Sequence, residues 1–101
     1  MNIFCDIYGT LTDDGEHRNG IPNLYRICKI KQLSLTNTVY LWSGNGQTYA
    51  EEFRIKHGLL RCTAIGKPHL IIDDNPTIRP NWDSLIKTPD CLDKEHINVN
   101  T

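Results

Sequence analysis

A carboxylate closes the first apolar run of the chain. Ile3-Phe4-Cys5 leads into Asp6, and Ile7-Tyr8-Gly9-Thr10-Leu11-Thr12 comes next. A short apolar run stopped by glycine reads as a buried strand ending in a tight turn; the strand is expected over Asn2 to Tyr8. The turn brings Asp6 to the carboxyl end of its strand, where open α/β sheets bind ligands. A carboxylate there is able to hold a metal ion, or to attack phosphorus or carbon as a nucleophile. It is equally suited to capping the turn.

Two further groups occupy the same kind of position. Thr38 to Trp42 is β-branched and aromatic, the composition of a buried strand, and it runs into Ser43-Gly44-Asn45-Gly46. A helix is expected over Gln47 to His57, with Gly58 as its stop. Strand, glycine-rich turn and helix N-terminus together favour an anion, because free N–H groups and the helix dipole point outward there. The Gly-Lys-Ser/Thr signature of a P-loop is absent, and an ordinary strand-to-helix turn fits the same residues. Leu70-Ile71-Ile72 reads as a deeply buried strand core ending in Asp73-Asp74-Asn75-Pro76. Two adjacent carboxylates repel each other unless a cation or several donors sit nearby.

The remaining elements must position these groups. Thr12 to Pro22 is polar and turn-rich, with Asp14-Gly15 and Asn19-Gly20 as turn dipeptides, so a flap loop or small hairpin is expected over 12–22. Pro22 suits the first turn of an amphipathic helix from Pro22 to Leu33, with Leu24, Ile27, Cys28 and Ile30 near helical spacing. Ser34 to Asn37 is a loop, Arg61 to Ile65 an expected strand at the sheet edge, and Gly66-Lys67-Pro68 a turn. Arg79 to Lys87 reads as a turn and short helix packing through Trp82, Leu85 and Ile86. Residues 88–101 are polar and read as a loose tail. Strands separated by helices imply an α/β fold with a three-layer, Rossmann-like parallel sheet in a single domain over 1–87. Asp6, Ser43 and the Asp73/Asp74 pair each end an expected strand, and a parallel sheet brings such ends to one edge.

Composition narrows the function classes. A chain of 101 residues with 39% hydrophobic and 23% charged residues is one globular domain able to bury a single core. A net charge of −1 supplies no basic field, so bulk nucleic-acid binding is not expected, while a small phosphorylated ligand is compatible. Cys5, Cys28, Cys62 and Cys91 form no C-x-x-C pair, and Cys5 and Cys28 lie within apolar patterns. His17, His57, His69 and His96 have no zinc-ligand spacing. No leader precedes the first strand and no apolar run is long enough to span a membrane, so a reducing, cytoplasmic setting is expected.

From Ile3 to Pro76 the chain resembles the haloacid dehalogenase-like superfamily, mostly phosphohydrolases. Phe4-Cys5-Asp6-Ile7-Tyr8-Gly9-Thr10-Leu11-Thr12 is similar to the first motif, with the nucleophile at Asp6. Leu41-Trp42-Ser43-Gly44 is similar to the second, whose hydroxyl binds the phosphoryl group. Leu70-Ile71-Ile72-Asp73-Asp74 is similar to the fourth, which holds magnesium. The spacing leaves no room for a large cap, as in the minimal, cap-less members.

The resemblance implies a Mg²⁺-dependent phosphohydrolase, its ion held by Asp6, the Tyr8 carbonyl and Asp73/Asp74. Ser43, the Gly44 N–H and the helix after Asn45 would hold the phosphoryl oxygens of a phosphorylated substrate. Tyr8 departs from the pattern: phosphatases of the superfamily carry there a second Asp, the general acid/base, worth about 10²–10⁴-fold. The resemblance thus implies a slow phosphatase, with Asp13, Asp14, Glu16 or His17 of the flap as replacement proton donors. A catalytically inactive module that keeps the metal and phosphate site is the alternative. Asp-x-Tyr-Gly-Thr is also the form of the dehalogenases, which attack carbon without metal but enclose substrate under a helical cap. Gly66-Lys67-Pro68 resembles the third motif, whose Lys pairs with Asp and phosphate. If Leu70 to Asp73 forms the parallel strand, Lys67 falls about 20 Å from Asp73, at the opposite sheet edge, because extended residues rise about 3.3 Å each; either the segment bends sharply and Lys67 joins the phosphate site, for which it is kept as a candidate, or Lys67 is structural and another cation serves.

Overall fold

A computed structural model describes residues 1–13, 20–70, 72, 74 and 88–94. The chain divides into two compact units, Met1–Lys67 and Pro68–Thr101. The first is an α/β unit of three strands and two helices, in the order β1 (Asn2–Asp6), α1 (Leu24–Leu33), β2 (Thr38–Ser43), α2 (Gln47–Lys56) and β3 (Thr63–Gly66). The sheet is parallel, with strand order β1-β2-β3. Parallel neighbours need a long crossover, and α1 and α2 supply the two. The strands at β1 and β2 and both helices fall where the sequence puts them, within two residues at each end. β3 lies at an edge, as expected for Arg61 to Ile65, but shifted two residues towards Gly66 at its start and one at its end.

One face of the sheet carries the core. Val39, Leu41 and Ser43 of β2 are buried, and Cys5 and Ala64 lie on the same face by register, Cys5 opposite Leu41 and Leu41 opposite Ala64. Ile7, just beyond β1, is also fully buried. Helix α2 lies against β2 and β3 and buries Ala50 and Phe53. Helix α1 buries Ile27 and Ile30. Each fully buried aliphatic side chain of this kind contributes about 1.5–3 kcal/mol. The expected apolar stripe of α1 is narrower than its spacing suggests: Leu24 and Cys28 are exposed.

Local chemistry sets the helix starts. Pro22 does not enter α1. It forms an antiparallel bridge with Thr12 instead, and Asn23 caps the helix, its Oδ1 accepting the Arg26 N–H at 3.1 Å. The bridge is reinforced by Asp13 N–H to the Ile21 carbonyl at 2.8 Å and Asn23 N–H to the Leu11 carbonyl at 2.8 Å. The base of the 12–22 flap is thus a short antiparallel ladder; its tip, 14–19, lies outside the described residues.

The second unit departs from expectation. Leu70 and Ile72 belong to no strand and are 76% and 89% exposed. The deeply buried strand expected there is not present at either residue; Ile71 lies outside the described residues. The segment expected to be a loose tail contains a 3₁₀ helix at Pro89–Asp93, with Leu92 buried. The short helix expected within Arg79 to Lys87 lies outside the described residues. Among the described residues, no helix is long and apolar enough to cross a membrane.

Candidate functional site

Asp6 is the last residue of β1 and pairs in register with Trp42 of β2. Beyond it the chain makes a tight turn organised by one acceptor: the Ile7 carbonyl takes N–H groups from Thr10, Leu11 and Thr12 at 3.1, 2.8 and 3.1 Å. Gly9 occupies this turn at φ 82°, a conformation that favours glycine. Its N–H donates to Thr12 Oγ1 at 3.3 Å, and Arg26 of α1 donates to the Thr10 carbonyl at 3.2 Å. Asp6 is therefore held at the carboxyl edge by a turn that is itself tied to α1.

Ser43 ends β2 beside Gly66, its partner on β3. It is 1% exposed, and its Oγ accepts the Asn45 N–H at 3.1 Å. The Gly46 N–H returns to the Ser43 carbonyl at 3.0 Å, and Gly46, at φ 101°, opens α2 without a side-chain cap. Gly44 and Asn45 are exposed. The turn presents backbone to solvent at the N-terminus of α2, and the Ser43 hydroxyl lies beneath it.

Lys67, the candidate from the third-motif resemblance, lies beside Asp6. β3 ends at Gly66, so Lys67 emerges at the same carboxyl edge as Asp6, and its Nζ is 3.8 Å from Asp6 Oδ1. The same ammonium sits 5.9 Å from the centre of the Trp42 ring. The strand that positions Lys67 is Thr63–Gly66, not Leu70 to Asp73, which removes the basis for the 20 Å separation. At 3.8 Å the pair is an ionic contact rather than a hydrogen bond, with Lys67 and Asp6 side chains 47% and 32% exposed. Such a pair contributes about 0–1 kcal/mol to stability.

Tyr8 is half-buried in the turn after Asp6. A second phenol adjoins this group: Tyr49, in the first turn of α2, is held above its ordinary range by burial first, then by Tyr8 and Asp6. The sequence signalled Tyr49 only as a packing residue on a helix face. Asp74 is exposed and belongs to the second unit, and Asp73 lies outside the described residues, as do Asp14, Glu16 and His17. Asp13 accepts the Ile21 N–H at 2.7 Å, at the base of the flap. Among the described residues, no group of three or more Asp, Glu, His or Cys side chains is placed to hold a metal ion. Of the residues expected to hold magnesium, Asp6 and Tyr8 are those among the described residues of the first unit, and an ion held by one or two carboxylates ordinarily keeps several waters.

Nothing matches this chain among protein-family models, curated proteins or solved structures.

Proposed function

We propose that the chain is a small phosphohydrolase of the haloacid dehalogenase-like type, built on a cap-less, Rossmann-like core. The ion pair of Asp6 with Lys67 at the carboxyl edge of a parallel sheet carries this reading. A carboxylate and a cation 3.8 Å apart, both partly open to solvent, suit an anionic ester at which Asp6 attacks while Lys67 offsets charge. The exposed Gly44–Asn45 turn and the N-terminus of α2 are the natural place for further phosphoryl oxygens.

In the proposed reaction an Asp6 carboxylate oxygen attacks phosphorus in line. The ester P–O bond breaks, the leaving oxygen takes a proton, and an aspartyl-phosphate remains. Water then attacks this intermediate and releases inorganic phosphate and the Asp6 carboxylate. Tyr8 stands where a carboxylic acid would give and take the protons, and a phenol is a poor general base near neutrality. Turnover is therefore slow, and esters with good leaving groups suffer least. Magnesium belongs to the same proposal, with Asp6 and the Tyr8 carbonyl as its donors in the first unit. So does a cytoplasmic setting, which four cysteines not joined in disulfides support.

The test is release of p-nitrophenol from p-nitrophenyl phosphate by the wild type and by Asp6→Asn, each with Mg²⁺ and with a chelator. Mg²⁺-dependent release that disappears in Asp6→Asn is expected. Release that survives in Asp6→Asn overturns the assignment of the nucleophile. No release by the wild type favours the second reading, a phosphate-binding module without turnover, for which Tyr8 is the observation.

A further inference from the structure

We propose that the phosphomonoester taken at Asp6 is a nucleotide, whose base stacks on the exposed ring of Phe4, at the margin of the aromatic cluster Phe4, Tyr40 and Trp42. The role of Asp6 rests on the phosphohydrolase reading; the stacking surface stands on its own geometry.

Side chains two apart along a strand share a face, so Phe4 and Asp6 lie on one side of β1. Register adds Tyr40 opposite Phe4 and Trp42 opposite Asp6. The rings meet: Phe4 stacks on Tyr40 with centres 4.8 Å apart and planes at 14°, and tilts onto Trp42 at 5.1 Å. This is the face opposite the one that buries Val39 and Leu41. Phe4 is 51% exposed, an unusual position for a large ring in the strand that carries the candidate nucleophile. Tyr40 and Trp42 pack against one side of Phe4, and the half-exposed Phe4 ring is the platform that remains open to a base.

Charge says what the platform takes. Lys67 lies between the carboxylate and the rings, 3.8 Å from Asp6 and 5.9 Å from the centre of Trp42. An occupant that satisfies both is a planar group joined to an anion. Phe4 and Asp6 are two residues apart, about 6.6 Å along an extended strand. A phenyl ring bonded directly to its phosphate oxygen is too short to cover Phe4 while presenting phosphorus to Asp6. A ribose between base and phosphate supplies the missing length. Stacking accepts any base, because every base has a π-face. The net charge of −1 supplies no basic track for a long strand, so the occupant is a single nucleotide rather than a polymer.

Calorimetric titration of full-length Asp6→Asn with adenosine 5′-monophosphate and with ribose 5-phosphate separates the base from the sugar phosphate. Phosphate release by the wild type is measured on the same two compounds. The nucleotide is expected to bind about 10- to 100-fold more tightly, with Phe4→Leu bringing the ratio towards one. Equal affinity for both compounds overturns the proposal. So does the absence of nucleotide binding, including the case where self-association of the chain covers Phe4. Preferential nucleotide binding without phosphate release by the wild type leaves the platform standing and removes the hydrolytic reading. Equal hydrolysis of both compounds, with equal affinity, does the reverse.

Discussion

In the proposed reaction, Tyr8 decides how far the chemistry at Asp6 can go. It lies just past the strand that ends in Asp6, and a second phenol, Tyr49, lies close enough that Tyr8 and Asp6 both push its titration up. A phenol donates hydrogen bonds near neutrality but does not readily accept the proton of an attacking water. Tyr8→Asp is therefore expected to raise turnover of p-nitrophenyl phosphate by about 10²–10⁴-fold, the usual contribution of a positioned acid/base. Unchanged or absent turnover in Tyr8→Asp, with the fold intact, points to a binding module. The place of Asp6 at a strand end was legible because a short apolar run stopped by glycine reads as a strand and a tight turn; its role was not, because a carboxylate there is equally suited to capping the turn. Tyr49 was not, because an aromatic residue on an amphipathic helix has the same pattern whether it packs or faces a site. Phe4 was misjudged for a related reason. A continuous apolar run implies burial on both faces, and only one face of β1 is closed.

At the scale of elements, the flap is held by backbone geometry at its base. Gly20 sits at φ +64°, and a Cβ there would lie 2.4 Å from the Asp13 carbonyl oxygen and 2.5 Å from Thr12 Oγ1. Both atoms belong to the short ladder that joins the end of the β1 turn to the start of α1. Backbone leaves little room to give, so Gly20→Ala is expected to cost about 1–3 kcal/mol and to lower Tm by on the order of 5–15 °C. Gly44→Ala is the control, since its Cβ meets nothing within 4 Å and stability should move by no more than about 0.5 kcal/mol. Equal melting temperatures for the two variants would show that the ladder does not close the flap as described. The same scale explains why the expected 20 Å separation, which rested on Leu70 to Asp73 as the strand, does not apply to Lys67. Leu70-Ile71-Ile72 is the most apolar run after Trp42, and hydrophobicity alone does not separate a buried strand from an exposed segment. Thr63-Ala64-Ile65-Gly66 has a single large side chain, yet register with Tyr40–Ser43 makes it the strand that delivers Lys67. Pairing decides such cases, and pairing is not written in a run's composition.

For the molecule as a whole, titration links a helix end to global stability. His57 closes α2, its ring 4.4 Å from that of Phe53, and burial followed by the charge of Lys56 holds its pKa below the ordinary 6.5. The unfolded chain takes up a proton near that ordinary value, whereas the folded chain resists until lower pH. The stability due to neutral His57 is therefore complete above about pH 6.5 and is lost as the pH falls through the folded pKa. Other shifted groups act in separate windows. Arg54 lowers the pKa of Glu51 from 4.5, which matters only in more acidic solution, and burial raises the Cys62 thiol above 9.0, which matters only in alkali. Between about pH 7.5 and 5.5 the wild type should thus lose more thermal stability than His57→Gln, as read by the two Tm differences. Equal differences would mean that the ring at the end of α2 is as free to take a proton in the folded chain as in the unfolded one. In that case the packing of His57 against Phe53 contributes nothing to the acid limit of the fold.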